Sequence, residues 1–233
     1  GRRDIEPIVR VDHQRVGPAI ALMIDAHDRF DVPTAISITH ALQPFGLAFL
    51  EAPCDSSSIG ALAAVANESP IPIAAGERFT DVEAFRRLAG ETGIRIWQPE
   101  TLTLGVAAMR RINELAIEHG ASVMPHNARG PVCTAVNVHL CAALSSFEQL
   151  EYFVDDAVPL ARRIASDLPR VIDGRIHPST EPGLGIEIDW LEAARHPFDP
   201  THRLDFGREG WERRLPGQSV DGPSQPRQGA VLT

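Results

Sequence analysis

Short apolar runs alternate with amphipathic stretches along most of the chain, and this alternation points to a layered α/β architecture. The run IALMID (20–25) predicts a buried strand, and VPTAISITHALQPFG (32–46) predicts a helix stopped by glycine. LAFLE (47–51) predicts the next strand and SIGALAAVANE (58–68) the next helix. The pattern continues with IPIAAGE (71–77) and DVEAFRRLAGETG (81–93), then with IRIWQPE (94–100) and GVAAMRRINELAIEHG (105–120). ASVMPH (121–126) precedes the helical PVCTAVNVHLCAAL (131–144), and FEQLEYF (147–153) predicts a sixth strand. Near-continuous apolar strands joined by helices form a parallel sheet covered by helices.

The ionisable residues at the ends of these strands narrow the choice. Asp25, Glu51, Glu77, Glu100, His126 and Glu151 are separated by 26, 26, 23, 26 and 25 residues, one at the C-terminal end of each predicted strand. In a (β/α)8 barrel those ends converge on one mouth, where the active sites of that fold lie. A doubly wound open sheet would spread them along a crevice, and no glycine-rich phosphate turn follows the first strand. The expected fold is therefore a TIM-barrel-type α/β domain, incomplete, with about six βα units. Residues 4–17 (DIEPIVRVDHQRVG) read as the helix after a missing second strand. Further on, RVIDGRIH (170–177) predicts a hairpin around Asp173-Gly174, and PGLGIEID (182–189) a further extended segment. From about Pro216 the tail lacks apolar content and is expected to be disordered.

Composition excludes more than it identifies. The 43% apolar and 23% charged fractions are those of an ordinary soluble protein, and the net charge of −9 argues against nucleic acid or an anionic membrane as partner. No apolar run approaches the roughly 18 residues of a membrane span, and no leader pattern opens the sequence. The three cysteines show no metal-ligand spacing, and a reducing cytoplasm is the expected setting. All 22 residues counted as Lys+Arg are arginine. The absence of lysine removes Schiff-base chemistry, a Walker lysine and a lysine general base.

Three carboxylates at matching strand ends, Asp25, Glu51 and Glu77, repel one another unless a cation joins them. A hard divalent ion resolves the repulsion, and Mg²⁺ takes few carboxylates with water or substrate oxygens in its remaining positions. The alternative for each is a capping role on the helix that follows. Glu100 and His126 lie on adjacent strand ends, where a carboxylate orients an imidazole and raises its basicity, as a general base requires. The alternative there is a structural histidine. His27 shares the face of Asp25 if the extended backbone continues, and could then protonate a leaving hydroxyl; otherwise it is an exposed loop residue. Glu151 reads as an acid or as a hydrogen-bond donor to an oxyanion, or as half of an arginine salt bridge. His40, His119 and His139 are expected to be packing or surface residues, and Trp97 and Trp190 packing residues.

The motifs DAHDRF (25–30), FLEAP (49–53), AAGERF (74–79), WQPE (97–100), PHNARGP (125–131), LEYF (150–153) and PGLGIEID (182–189) stand in the order found in the mandelate racemase group of the enolase superfamily. Over about residues 4–195 the chain resembles the galactonate-type sugar-acid dehydratases of that group. The resemblance implies an enolase-like barrel domain over 1–195 and a C-terminal extension over 196–233. It makes Asp25, Glu51 and Glu77 ligands of Mg²⁺, His126 the base supported by Glu100, His27 the acid, and Glu151 the carboxylic acid near the enolate oxygen. The Asp-x-His spacing of Asp25 and His27 is what leans towards a dehydratase. The implied reaction is the Mg²⁺-dependent dehydration of a galactonate-like sugar acid to a 2-keto-3-deoxy acid, through α-proton abstraction and a metal-stabilised enediolate. The implied partner is the small sugar acid itself, with the complete enzyme a cytoplasmic homo-oligomer. Two departures bear on this: Glu100 stands where the family usually has aspartate, one methylene shorter, and Ala52 replaces a second acid after Glu51. An N-terminal α+β capping domain and the first two barrel strands are expected to be missing. The alternatives are a racemase or epimerase of the same superfamily, a catalytically inactive truncated remnant, or one part of a split enzyme.

Overall fold

The computed structural model describes residues 20–153 and 155–199. The helix expected over 4–17 and the tail expected to be disordered from about 216 lie outside them. Five parallel strands lie side by side in chain order: β1 (Met23–Asp25), β2 (Phe49–Glu51), β3 (Ile73–Ala75), β4 (Ile96–Trp97) and β5 (Ser122–Val123). Between them run α1 (Val32–Leu42), α2 (Ile59–Glu68), α3 (Val82–Glu91), the single-turn α4 (Thr101–Leu104) and α5 (Val106–His119), and α6 (Pro131–Cys141) follows β5. This is the strand–helix repeat of a (β/α)8-type barrel.

Local chemistry fixes where the helices begin and end. Asp31, Ser58 and Asp81 accept the backbone N–H groups of Thr34, Ala61 and Ala84 at 2.9, 3.3 and 2.8 Å, satisfying first-turn donors of α1, α2 and α3. α5 stops at Gly120, whose left-handed φ of 62° lets its N–H reach the carbonyls of Ala116 and Ile117.

The two-residue period of a strand sorts its side chains between two faces. Leu50, Ile73, Ala75, Trp97 and Val123 face the helices and join Leu62, Val65, Phe85, Leu88, Met109 and Ile112 in the main core. Phe49, Ala74, Ile96 and Met124 pack together on the opposite, inner face. Carrying the alternation to the strand ends puts Glu51, Gln98 and His126 on that inner face as well. The apolar pattern that builds the core thus also aims the polar residues. Trp97 anchors the outer layer: it is 0% exposed, its Nε1 donates to the Ile94 carbonyl at 3.1 Å, and its ring lies 5.8 Å from that of Phe85. Trp97→Ala is expected to destabilise the domain by about 3–5 kcal/mol, read as a lower denaturant midpoint at an unchanged m-value.

Two sequence expectations need correction. Residues 147–153 do not form a sixth strand; among the described residues they make a single parallel bridge, Val123 to Phe147. Beyond Glu148 the ladder stops, because the next donor from the β5 side would be Pro125, which has no N–H. Trp190 is not a packing residue: it opens a five-residue helix, α8 (Trp190–Ala194), and is 74% exposed. The Asp173-Gly174 hairpin is present, with Ile172 paired to Arg175 and both turn residues at positive φ (51° and 74°), as a type I′ turn requires. The extended segment near 182–189 appears as a short strand, β7 (Glu187–Ile188), antiparallel to β6 (Ala165–Ser166), which follows helix α7 (Pro159–Ile164).

Candidate active site at the strand ends

Asp25 and Glu51 are the last residues of β1 and β2 and stand side by side in the ladder. Neither caps a helix, since the caps of the following helices are Asp31 and Ser58. Glu77 follows Gly76, whose φ is 137° and where a Cβ would lie 2.9 Å from the Phe85 ring and 3.0 Å from the Gln98 backbone nitrogen. Only glycine fits there, and the kink it permits leaves Glu77 with its Oε2 3.4 Å from His126 Nε2. Left-handed non-glycine residues gather at the same rim, with φ of 50° at His27, 57° at Asp28 and 40° at Ala52. Such strain persists only where surrounding contacts over-determine it, and it concentrates at functional sites.

The extended backbone that would carry His27 onto the strand face of Asp25 does not continue that far. The last ladder bond runs from Ala26 N–H to the Glu51 carbonyl, and the chain then turns as the His27 N–H donates to Asp25 Oδ1 at 2.8 Å. The turn folds the imidazole back onto Asp25, with Nε2 2.6 Å from Oδ2. His27 therefore stays at the mouth, placed by a turn rather than by strand alternation.

Glu100 and His126 are joined by a parallel bridge, and His126 Nδ1 lies 2.7 Å from Glu100 Oε2. The longer glutamate is accommodated without displacing that bond. Its Oε1 accepts the Leu102 N–H at 3.0 Å, capping α4, while Oε2 also receives Arg129 Nε at 3.1 Å. Burial raises the Glu100 pKa, but the bonds from His126, Leu102 and Arg129 outweigh it and hold the carboxyl below its ordinary value. For His126, burial favours the neutral ring, yet the Glu100 bond and the charges of Glu151 and Glu77 prevail and raise its pKa. With Nδ1 held by Glu100, Nε2 is the ring atom left to exchange a proton with a ligand. Glu151 lies beyond the single bridge, its Oε2 accepting the Asn127 backbone N–H at 2.8 Å.

Negative charge is in excess here. Burial, then the charge of Asp25, push Glu51 up to about 8, with Glu151 and Glu77 adding to the effect and a bond from Gln98 opposing it. Asp25 is raised as well, by burial first, against the pull of His27. The chemistry of this donor set suits a hard cation: oxygen ligands with unmatched charge. Their positions are not closed around one, and no three His, Cys, Asp or Glu side chains among the described residues are gathered so as to hold an ion. Asp25 is turned onto His27, and Glu77 is shared between His126 and Arg78, whose Nε is 3.3 Å from Oε1. The buried thiols of Cys54, Cys133 and Cys141 are pushed up to about 11, 12 and 12, which keeps them protonated and out of nucleophilic chemistry.

Residues 1–193 match the family described as enolase C-terminal domain-like. The chain belongs to that family. Within it, the chain is 33% identical over 190 residues to a D-galactonate dehydratase family member of Oceanicola granulosus, covering 80% of this chain and 46% of that protein. It is 31% identical over 205 residues to a D-gluconate/D-galactonate dehydratase of Picrophilus torridus, covering 88% and 52%. Among solved structures, a mandelate racemase/muconate lactonizing enzyme-like protein from Roseovarius sp. TM1035 superposes with a TM-score of 0.75 at 31% identity, covering 80% of this chain and 47% of that one. The chain spans about half the length of the curated relatives it matches.

Four residues of this enolase-like mouth escape a reading confined to acids and histidines. Arg78 binds Asp28 at 3.0 Å as well as Glu77, and Asp28 Oδ1 accepts the Ser56 N–H at 3.0 Å, so three successive loops are tied together. Arg129 shares the Glu100 carboxylate. Gln98 bonds Glu51 and is 7% exposed, with its Oε1 unpartnered. Asn127 holds Glu151. All four lie inside the motifs DAHDRF–AAGERF, WQPE and PHNARGP or directly beside an acid, and the two-residue period alone would have put Gln98 on the face of Glu100.

Proposed function

We propose that this chain carries the catalytic residues of a sugar-acid dehydratase, acting on an aldonate of the galactonate or gluconate type. The observation that carries the reading is the His126–Glu100 pair, 2.7 Å apart, with Nε2 of His126 turned to the carboxylate cluster. His126 Nε2 takes the α-proton of the hydroxy acid, and the electron pair delocalises into the substrate carboxylate. The β carbon–oxygen bond then breaks, the departing hydroxyl is protonated and leaves as water, and the remaining enol tautomerises to the 2-keto-3-deoxy acid. His27 is the proton donor in this scheme, and its 2.6 Å contact with Asp25 has to open before it can deliver. Glu151, held by the Asn127 amide, hydrogen-bonds the developing oxyanion when protonated. Mg²⁺ held by Asp25, Glu51 and Glu77 would supply positive charge opposite the substrate carboxylate and acidify the α-hydrogen. The names of the relatives support the dehydratase reading, and the Asp25-x-His27 pair is consistent with it.

The test is a panel of aldonates incubated with the protein in Mg²⁺ or in EDTA, in deuterated solvent. Formation of 2-keto-3-deoxy acid from a few stereoisomers, lost in EDTA, is the expected result. Deuterium at the α-carbon with full recovery of hydroxy acid would replace this reading with racemisation or epimerisation. Neither product nor exchange would sink it.

A further inference from the structure

We propose that Asn127 and Asn137 are positioning residues that lock His126, Glu100 and Glu151 into one rigid unit, an inference that rests on the dehydratase reading. The two amides lie behind the mouth, 1% and 0% exposed. Asn137 sits on α6 among the buried apolar residues Cys133, Val138, Leu140 and Cys141. Its Oδ1 accepts the hydroxyl of Thr101, the residue after Glu100, and its Nδ2 donates to Asn127 Oδ1 at 3.0 Å. Asn127, the residue after His126, donates from Nδ2 to the Glu151 carbonyl at 2.9 Å and to Thr134 Oγ1 at 3.1 Å. Its backbone N–H holds the Glu151 carboxylate at 2.8 Å, and the Thr134 hydroxyl passes its own hydrogen to Asp155. One unbroken line of bonds, Thr101–Asn137–Asn127–Glu151, therefore links the three segments that carry the pair and the acid.

The energetics say why such a line is informative. A buried amide left without partners costs about 1–3 kcal/mol, whereas an apolar side chain of the same shape carries no such penalty. Leucine at position 137 would avoid that cost for itself but leave the buried Thr101 hydroxyl and Asn127 Oδ1 short of a partner. What the amide adds is direction: each of its bonds fixes one neighbour, and functional groups need placement within about 0.5 Å. FEQLEYF leaves the sheet after its single bridge, so Glu151 has no ladder to hold it, and Asn127 takes over that task at both the carbonyl and the carboxylate. Asn137 and Thr101 have no place at the mouth, being 0% and 2% exposed, and act through Asn127 and Glu100.

The variants are Asn137→Leu, which keeps size and removes the bonds to Thr101 and Asn127, and Thr101→Val, an isosteric change that cuts the line at its far end and leaves Asn127 paired. Turnover of the best aldonate is expected to fall on the order of 10²-fold in kcat for Asn137→Leu, with KM nearly unchanged, as for a misplaced rather than a missing group. Thr101→Val should lower kcat in the same direction by less. The second readout needs no activity: the Asn127 backbone amide proton, bonded to a carboxylate, should resonate downfield and move upfield in Asn137→Leu, although Asn137 does not touch Glu151. If Asn137→Leu does not fold, Thr101→Val carries both measurements. A loss of thermal stability with kcat and the amide resonance unchanged overturns the lock and leaves a structural role. A wild-type protein that turns over no sugar acid sinks the dehydratase reading instead, and the amide resonance then decides the coupling alone, an unchanged signal overturning it.

Discussion

His126→Asn is expected to lower both α-deuterium exchange and 2-keto-3-deoxy acid formation by about 10²–10⁴-fold, the usual contribution of a positioned general base. Asparagine keeps a polar group of similar reach but has no nitrogen that takes a proton near neutral pH. The binding of Mg²⁺ should change little, because the histidine touches only one of the three carboxylates, Glu77, and at 3.4 Å. Glu100→Gln separates orientation from charge. The amide still reaches Nδ1 at the same length, while loss of the negative charge removes a cause of the raised His126 pKa. The low-pH limb of kcat/KM should then move to lower pH, with a smaller loss of rate than in His126→Asn. Exchange that persists in His126→Asn would mean that another group at the mouth is the base.

How much of this was legible in the sequence depends on which physical signal carries each feature. Strand ends were legible because a buried parallel strand is a short apolar run, and the first polar residue after it marks where the chain reaches solvent. That signal put Asp25, Glu51, Glu77, Glu100 and His126 at one rim, where the structure also has them. Helix starts were legible from Asp31, Ser58 and Asp81, whose side chains accept first-turn N–H groups. The turn at His27 was not, because it follows from a bond between the Asp25 carboxylate and a backbone N–H that extended periodicity does not encode. The sixth strand failed for a different reason: alternation in FEQLEYF is consistent with a strand, but Pro125 on the neighbouring segment has no N–H to give the next ladder bond. Trp190 misled because aromatic content says nothing of burial once the repeat has ended. The Thr101–Asn137–Asn127 line was invisible for want of periodicity, since its members are three polar residues on three different segments.

Divalent-ion binding is expected to be strongly coupled to proton release. Burial and the neighbouring carboxylates push Glu51 up to about 8 without a cation. Below that pH the carboxyl is protonated, and an ion that needs the carboxylate must displace the proton. The association constant for Mg²⁺ should therefore rise about tenfold per pH unit from pH 6 to 8 and flatten above it. Calorimetry in buffers of different ionisation enthalpy should show about one proton released per ion near pH 6.5, with any further release coming from Asp25, which is also raised. The sign for the cation-free fold runs the other way. A carboxyl whose folded pKa of about 8 exceeds its ordinary 4.5 leaves the folded chain holding more protons than the unfolded one between those values. Stability without the ion should thus be greatest below pH 4.5 as far as this group is concerned, fall as pH rises through that window, and level off above 8. Mg²⁺ should restore it most at the alkaline end, where binding is tightest. Glu51→Gln is neutral throughout, so it should remove the part of the stability slope that Glu51 supplies over this window, and most of the affinity. An affinity that does not vary between pH 6 and 8, or a Glu51→Gln protein that binds Mg²⁺ as tightly as the wild type, would remove Glu51 from the ligand set.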